Sequence, residues 1–242
     1  MSPVEYFQSV AYRNTVDRMN QDAPYRNGGT TALQPPPARS AARGRPRSPR
    51  VHQAILEAAR EMLIEEGFTR LRLEHVAARA GVSKATIYRR WRSKEALALE
   101  LLMGLASPHI HVFDVGDTRA ELLQAVENAR RALTETPFGP VIRTLLSQVA
   151  VNPSIGDPFR ASIVEARRTE VGRVVERGIE RGALRPDADP GLATELLVGP
   201  VYFRLIFGGT LDAAFSSDVV DAYLRGFGTP APKHDPMKEA AR

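Results

Sequence analysis

The chain has 242 residues, 43% of them hydrophobic and 25% charged, and no cysteine. It is long enough to bury one good-sized core or two smaller ones, and it cannot use a disulfide, a thiolate metal site or a cysteine nucleophile. No apolar stretch approaches the roughly 18 residues that span a bilayer, and no basic segment followed by an apolar run opens the chain, so a cytoplasmic protein is expected. The net charge of +5 is unevenly spread: residues 39–100 carry 14 Lys and Arg against 7 acids, whereas residues 101–242 carry 16 against 18. A basic excess confined to one block is the footprint of a nucleic-acid-binding module, because each phosphate that is neutralised releases condensed counterions. A solvated basic face or a membrane-surface patch is the competing explanation.

Residues 1–48 show no sustained period and contain Asn27-Gly28-Gly29, then Pro35-Pro36-Pro37, then Arg39, Arg43, Arg45 and Arg47 among Ser, Ala, Gly and Pro. They read as a disordered leader ending in a basic arm. From Pro49 the pattern is helical. A first helix over 49–66 sets Val51, Ile55, Ala58, Ala59, Met62 and Leu63 on one face and stops at Gly67. Leu73, Val76, Ala77 and Ala80 begin a shorter second helix, Gly81-Val82 breaks it, and Ser83 can cap a third. A fourth starts after Ser93 with Glu95 in its first turn and runs through Leu97, Leu101, Leu102 and Leu105.

Further helices are expected near 117–135, 137–151, 157–183, 189–208 and 216–228. Ser48-Pro49, Thr136-Pro137, Asp157-Pro158 and Asp189-Pro190 each place a capping side chain before a proline, and Thr118-Arg119-Ala120-Glu121 reads as a capping box. No strand pattern is present. The tail from 229 to 242 is aperiodic and expected to be disordered. The fold class is therefore all-α, with a first group of helices over 49–94 followed by a helical bundle over 95–228.

A helix-turn-helix needs a short scaffold helix, a tight turn and a second helix whose polar N-terminal end meets the DNA. Leu73 to Trp91 supplies all three. Lys84, Thr86, Tyr88, Arg89 and Arg90 offer donors suited to phosphates and base edges, while Val82 and Ile87 can face the core. Trp91 is better read as an apolar plug than as a reader. An amphipathic helix with a solvated basic face remains the alternative on these residues alone.

The run from Val76 to Leu97, Val-Ala-Ala-Arg-Ala-Gly-Val-Ser-Lys-Ala-Thr-Ile-Tyr-Arg-Arg-Trp-Arg-Ser-Lys-Glu-Ala-Leu, resembles the DNA-binding signature of the TetR-type family of bacterial repressors, and the likeness extends back through Gly67-Phe68 and the first helix. The resemblance implies three DNA-binding helices joined by a fourth to a helical body that binds ligand and dimerises. It implies that Lys84, Ala85, Thr86, Tyr88, Arg89 and Arg90 hold the DNA-contacting positions behind the Ser83 cap, and that Lys94 meets a phosphate. One departure is Arg72, where the family usually has a Ser or Thr that caps the second helix. Arg72 can bind a phosphate but cannot accept a backbone hydrogen bond. The Gly44-Arg45-Pro46-Arg47 core of the arm resembles arms that precede this domain in related regulators, and such arginines can enter a narrow minor groove.

In the body, Leu192, Leu196, Leu197, Val198, Val201, Tyr202, Leu205, Ile206 and Phe207 cover much of the 189–208 helix, which implies burial on more than one side. The resemblance implies that this helix and the 216–228 helix form a four-helix homodimer interface. A dimer also matches a two-fold symmetric operator, whereas an internal core helix of a monomer is the other reading. Met103, Phe113, Phe138, Ile142, Leu146, Phe159, Ile163, Tyr202 and Phe203 are candidates to line a pocket for an unknown small-molecule effector, although residues at helical spacing serve a core equally well.

The expected function is a DNA-binding transcriptional regulator, a repressor released from operator DNA by that effector, with no cofactor, metal or membrane partner. A nonspecific DNA-binding protein is the alternative, followed by a metal-dependent enzyme built on His109-Ile110-His111 and Asp114. Deleting residues 39–47 is expected to weaken operator binding and flatten its salt dependence, by about 0.9 in log–log slope for each phosphate that is no longer neutralised. A salt titration that returns the wild-type affinity and slope would dismiss the arm.

Overall fold

A computed structural model describes residues 49–229. The expected leader with Arg43, Arg45 and Arg47, and the tail beyond Thr229, lie outside the described residues. Within that range the chain is helical, and a β-bridge joins Leu184 to Gly228. Helix α1 (Pro49–Glu66) buries Ile55, Ala58, Ala59, Met62 and Leu63, the expected face, and ends at Gly67 with φ of 78°, a conformation that costs glycine little. Then come α2 (Leu73–Arg79), α3 (Lys84–Tyr88) and α4 (Lys94–Ala106), followed by a 3₁₀ turn at Ser107–His109.

Helix α4 is buried all round: Ala96, Leu97, Ala98, Leu99, Leu101, Leu102, Met103 and Ala106 are all inside. A helix apolar on every side must have neighbours on every side. It packs against α1 and against two helices of the body, α6 (Phe138–Val151) and α7 (Pro153–Phe159). It therefore belongs to both halves of the molecule.

The rest of the body comprises α5 (Thr118–Thr134), α8 (Glu165–Glu180), α9 (Pro190–Phe207) and α10 (Ala213–Phe227). Helix α5 is central, packing against α6, α8, α9 and α10. Capping is largely as expected. Asp189 accepts from the Leu192 amide at 2.6 Å, Thr136 from the Phe138 amide at 3.1 Å, and Ser83 and Ser93 each cap their helices at 3.2 Å.

Three starts differ from expectation. Helix α10 begins at Ala213 rather than near 216, with the Asp212 carboxylate accepting from the Phe215 amide at 2.8 Å. The cap of α5 is Asp117, whose carboxylate accepts from the Ala120 amide at 2.9 Å. Thr118 and Glu121 are buried instead, so they do not form a capping box. Nor does Asp157-Pro158 begin a helix. The start lies earlier, at Asn152-Pro153, where the Asn152 side chain accepts from the Ser154 amide at 3.1 Å, and Pro158 falls inside α7. A proline there removes one backbone donor, and the chain continues into α8 through a π-helical turn, Arg160–Val164.

Glu121, displaced from the capping role, is fully buried and accepts from Arg177 at 2.6 Å, from Arg181 at 2.8 Å and from the Val115 amide at 3.1 Å. Asp114 joins the cluster through Arg181 at 2.6 Å, and its carboxyl is held below the usual range first by the Gly116 amide. This knot fastens the 111–117 loop and α5 to α8. Replacing Glu121 with Ala strands two guanidinium groups that are only partly solvated, at a cost of about 3 kcal/mol. Urea denaturation should show that loss; an unchanged midpoint would show that the knot contributes nothing net.

Candidate nucleic-acid interface

The reading surface is built on a small hydrophobic lock. Leu73, Val76 and Ala77 of α2, which packs on α1, and Ile87 of α3, which packs on α2, turn inward to the core. Gly81, with φ of 66°, makes the turn between α2 and α3, and the Val82 amide closes it on the Ala77 carbonyl at 2.9 Å. Inward burial of Ile87 forces its neighbours out, so Lys84, Ala85, Tyr88 and Arg89 are exposed, and Thr86 and Arg90 are half-buried. Ser83 stands at the N-terminus, bonded through its hydroxyl to both the amide and the hydroxyl of Thr86. The residues expected to read DNA are thus gathered on one short helix and its flanks.

Trp91 fixes the angle of that helix. Only 1% exposed, it donates from Nε1 to Glu100 at 2.6 Å, and His52 of α1 stacks on its ring at 5.2 Å between centroids. His52 also reaches Glu100, at 3.0 Å. One indole therefore joins α3 to α1 and α4. The sequence reading of Trp91 as a plug rather than a reader agrees with this placement.

Two expected contacts are held within the protein in the free state. The Tyr88 hydroxyl donates to Glu74 of α2; that bond raises the phenol's pKa and lowers the carboxyl's. Lys94 donates to the carbonyls of Phe68 at 3.0 Å and Thr69 at 3.4 Å, with its ammonium 4.4 Å from the Phe68 ring centre. It staples the α1–α2 turn to the start of α4, leaving one of its three donors for a phosphate. Arg72 is exposed at the N-cap of α2 and makes no capping bond, as its chemistry requires.

Of the residues expected to line a pocket, four meet around one cavity of about 260 Å³: Leu146 of α6, Phe159 of α7, Ile163 of the π turn and Tyr202 of α9. Met103, Phe138 and Ile142 lie within the sealed core and do not line it. Phe203 is 61% exposed because it stands about 100° round α9 from Tyr202, so only one of the two can face inward. Phe113 is also 61% exposed; in the loop after the 3₁₀ turn Val112 points in and Phe113 out. Sequence reasoning missed Arg167, Thr194 and Val198 on the cavity wall. His111 is paired with Glu170 at 2.8 Å, and no metal-competent group of three gathers among the described residues.

A capped, cation-bearing helix set by a glycine turn against a scaffold helix defines a helix-turn-helix DNA-binding regulator. Residues 55–101 match the bacterial regulatory proteins of the tetR family, and residues 112–223 match the tetracyclin repressor-like C-terminal domain. The uncharacterised HTH-type transcriptional regulator YdeS of Bacillus subtilis is 33% identical over 183 residues, covering 76% of this chain and 88% of its own. The DNA-binding transcriptional repressor TetR of Mycobacteroides abscessus is 33% identical over 187 residues, covering 76% and 94%. In fold, the chain is similar to the TetR family regulator SCO0332, with a TM-score of 0.58 at 32% identity over 73% of this chain and 98% of that one. The flavonoid-responsive regulator FrrA has a like fold at 21% identity, with a TM-score of 0.59 over 76% and 100%. The chain belongs to the TetR family of transcription regulators, which are DNA-binding proteins and not enzymes.

Replacing Trp91 with Ala should lower stability by about 3–5 kcal/mol and abolish DNA binding, although the indole is buried away from the reading surface. Urea unfolding with a fluorescence-anisotropy titration on operator DNA checks both, and full DNA affinity in this variant would show that Trp91 does not set the helix.

Proposed function

We propose that the protein is a homodimeric repressor that leaves a two-fold symmetric operator when a small molecule enters its helical body. The observation that carries this reading is α4, which packs at one end against α1 and Trp91 and at the other against α6 and α7. Phe159, at the end of α7, lies on the cavity wall. A change in the cavity can thus bias α7 and α4, and with them the angle of the DNA-binding helices, provided the ligand prefers one of two arrangements. The repressor relative of Mycobacteroides abscessus and the flavonoid-responsive protein of like fold support repression and ligand response respectively.

Dimerisation through α9 and α10 is supported by an apolar stripe. Leu192, Leu196, Phe203, Ile206 and Phe207 are 41–73% exposed along a single face of α9, more than a monomer ordinarily leaves contiguous. Beside it α10 presents the small residues Ala214 and Ala222, which leave room for bulkier side chains of a second copy. The turn between the two helices is held by Arg204, whose guanidinium lies 3.7 Å over the Phe215 ring. A dimer places two recognition helices about one DNA turn apart, at roughly 34–36 Å.

The test uses an operator located by genome-wide mapping of bound sites. Lys84→Ala and Tyr88→Ala should each abolish retention of that DNA while sedimentation still reports a dimer. Wild-type affinity in either variant would move the reading surface elsewhere, and equal affinity of the native protein for random duplex would favour a nonspecific binder.

A further inference from the structure

The cavity that underlies the proposed ligand response has an uneven wall. Leu146, Phe159, Ile163, Val164 and Val198 make most of it apolar, yet Arg167 of α8 is also there and only 5% exposed. Its hydrogen bond is a long one, from Nη2 to the His109 carbonyl at 3.5 Å. Among the described residues no carboxylate pairs with it.

The nearby acids are committed elsewhere. Glu170, one turn along α8, binds His111 at 2.8 Å, the Val112 amide at 3.1 Å and Arg173. Glu195, at the cavity mouth, pairs with Arg168 at 2.9 Å, and both of those side chains are well exposed. The charges on the cavity therefore sum to one uncompensated cation, with Arg168 and Glu195 cancelling at the rim.

A guanidinium stays protonated in proteins, and burying one without a counter-charge costs several kcal/mol even after relaxation. Burial pushes the Arg167 guanidinium's pKa down; burial first and the Arg167 charge second lower that of His109, and the same charge opposes the burial-driven rise of Tyr202. Such a residue destabilises the body unless something supplies the missing charge. The wall beside it also includes Ile163 and Val164 of the π turn, and π turns are frequent at functional sites.

We infer that the cavity takes a small apolar molecule carrying one carboxylate, whose oxygens pair with Arg167 while its hydrocarbon part lies against Leu146, Phe159, Ile163 and Val198. A planar guanidinium suits a carboxylate because two parallel N–H donors can meet its two oxygens. The volume of about 260 Å³ is just below the usual 300–1,000 Å³ of ligand pockets, so a single ring or a short chain fits and a long acyl chain does not.

The inference rests on the ligand-responsive reading, and the experiment separates the two. Full-length protein without DNA is titrated by calorimetry with phenylacetate against phenylacetamide and with hexanoate against hexanamide. At least one carboxylate should bind about tenfold or more tightly than its amide, the scale of one charge-assisted hydrogen bond, and Arg167→Met should reduce that preference to less than about twofold. Arg167→Met should also raise the thermal midpoint, because it removes an unpaired buried charge; a lowered midpoint would make Arg167 a structural residue and overturn the inference. Equal binding of acid and amide, binding of none of the four probes, or a preference that survives the substitution would each overturn it as well. Release of operator DNA is read separately by anisotropy: a carboxylate that binds without releasing DNA keeps this site and contradicts the effector role, whereas release by a neutral compound alone does the reverse.

Discussion

The structure depends on one helix that must be buried on every side. Helix α4 is apolar around its circumference, so it is stable only with the DNA-binding helices on one flank and the body on the other. The carboxylate it turns toward the head, that of Glu100, is satisfied by Trp91 and His52. That three-residue contact converts a hydrophobic packing problem into a fixed geometry, because an indole donor and a histidine ring can both reach the same carboxylate in only a narrow range of helix angles. The orientation of α3, and so of Lys84, Thr86 and Tyr88, follows from the angle of α4.

The body shows a second economy of charge. Glu121 is buried yet surrounded by two guanidinium groups and a backbone amide, so the protein itself compensates its charge. Arg167 is the opposite case, a buried charge with a single long hydrogen bond to a carbonyl. The contrast along α8 and its C-cap is informative: Arg177 and Arg181 are compensated by the protein, and Arg167 is not. Buried charges in natural proteins are ordinarily paired, so an unpaired one facing a cavity is an argument about ligand.

Much of this was legible from residue order. The faces of α1 and α2, the Ser83 and Ser93 caps, the Gly81 turn and the plug at Trp91 are local features, set by short-range chemistry that a sequence displays directly. The Asp157-Pro158 start failed because a proline is equally compatible with an early turn and with a bent interior, and tertiary packing chose the latter while Asn152-Pro153 supplied the true cap. The pair Tyr202 and Phe203 shows a different limit: periodicity says that both sit on an apolar helix, but not which of two buried-looking sides meets the bundle. Arg167 did leave a signal. It shares the i, i+4, i+8 spacing of Ile163 and Val171, and a charged residue on an otherwise inward face marks either an ion pair or a site.

In the proposed mechanism α4 transmits the state of the body to the spacing of two recognition helices. The chain has no cysteine, so Glu66→Cys, exposed at the end of α1, places one spin label on each protomer without competing sites. Pulsed electron resonance should give a broad label-to-label distance in the free protein. On operator DNA it should give a single narrow one, consistent with recognition helices about 34 Å apart, that shifts when effector releases the DNA. The absence of any inter-label distance, or a distribution indifferent to DNA and to ligand, would contradict it.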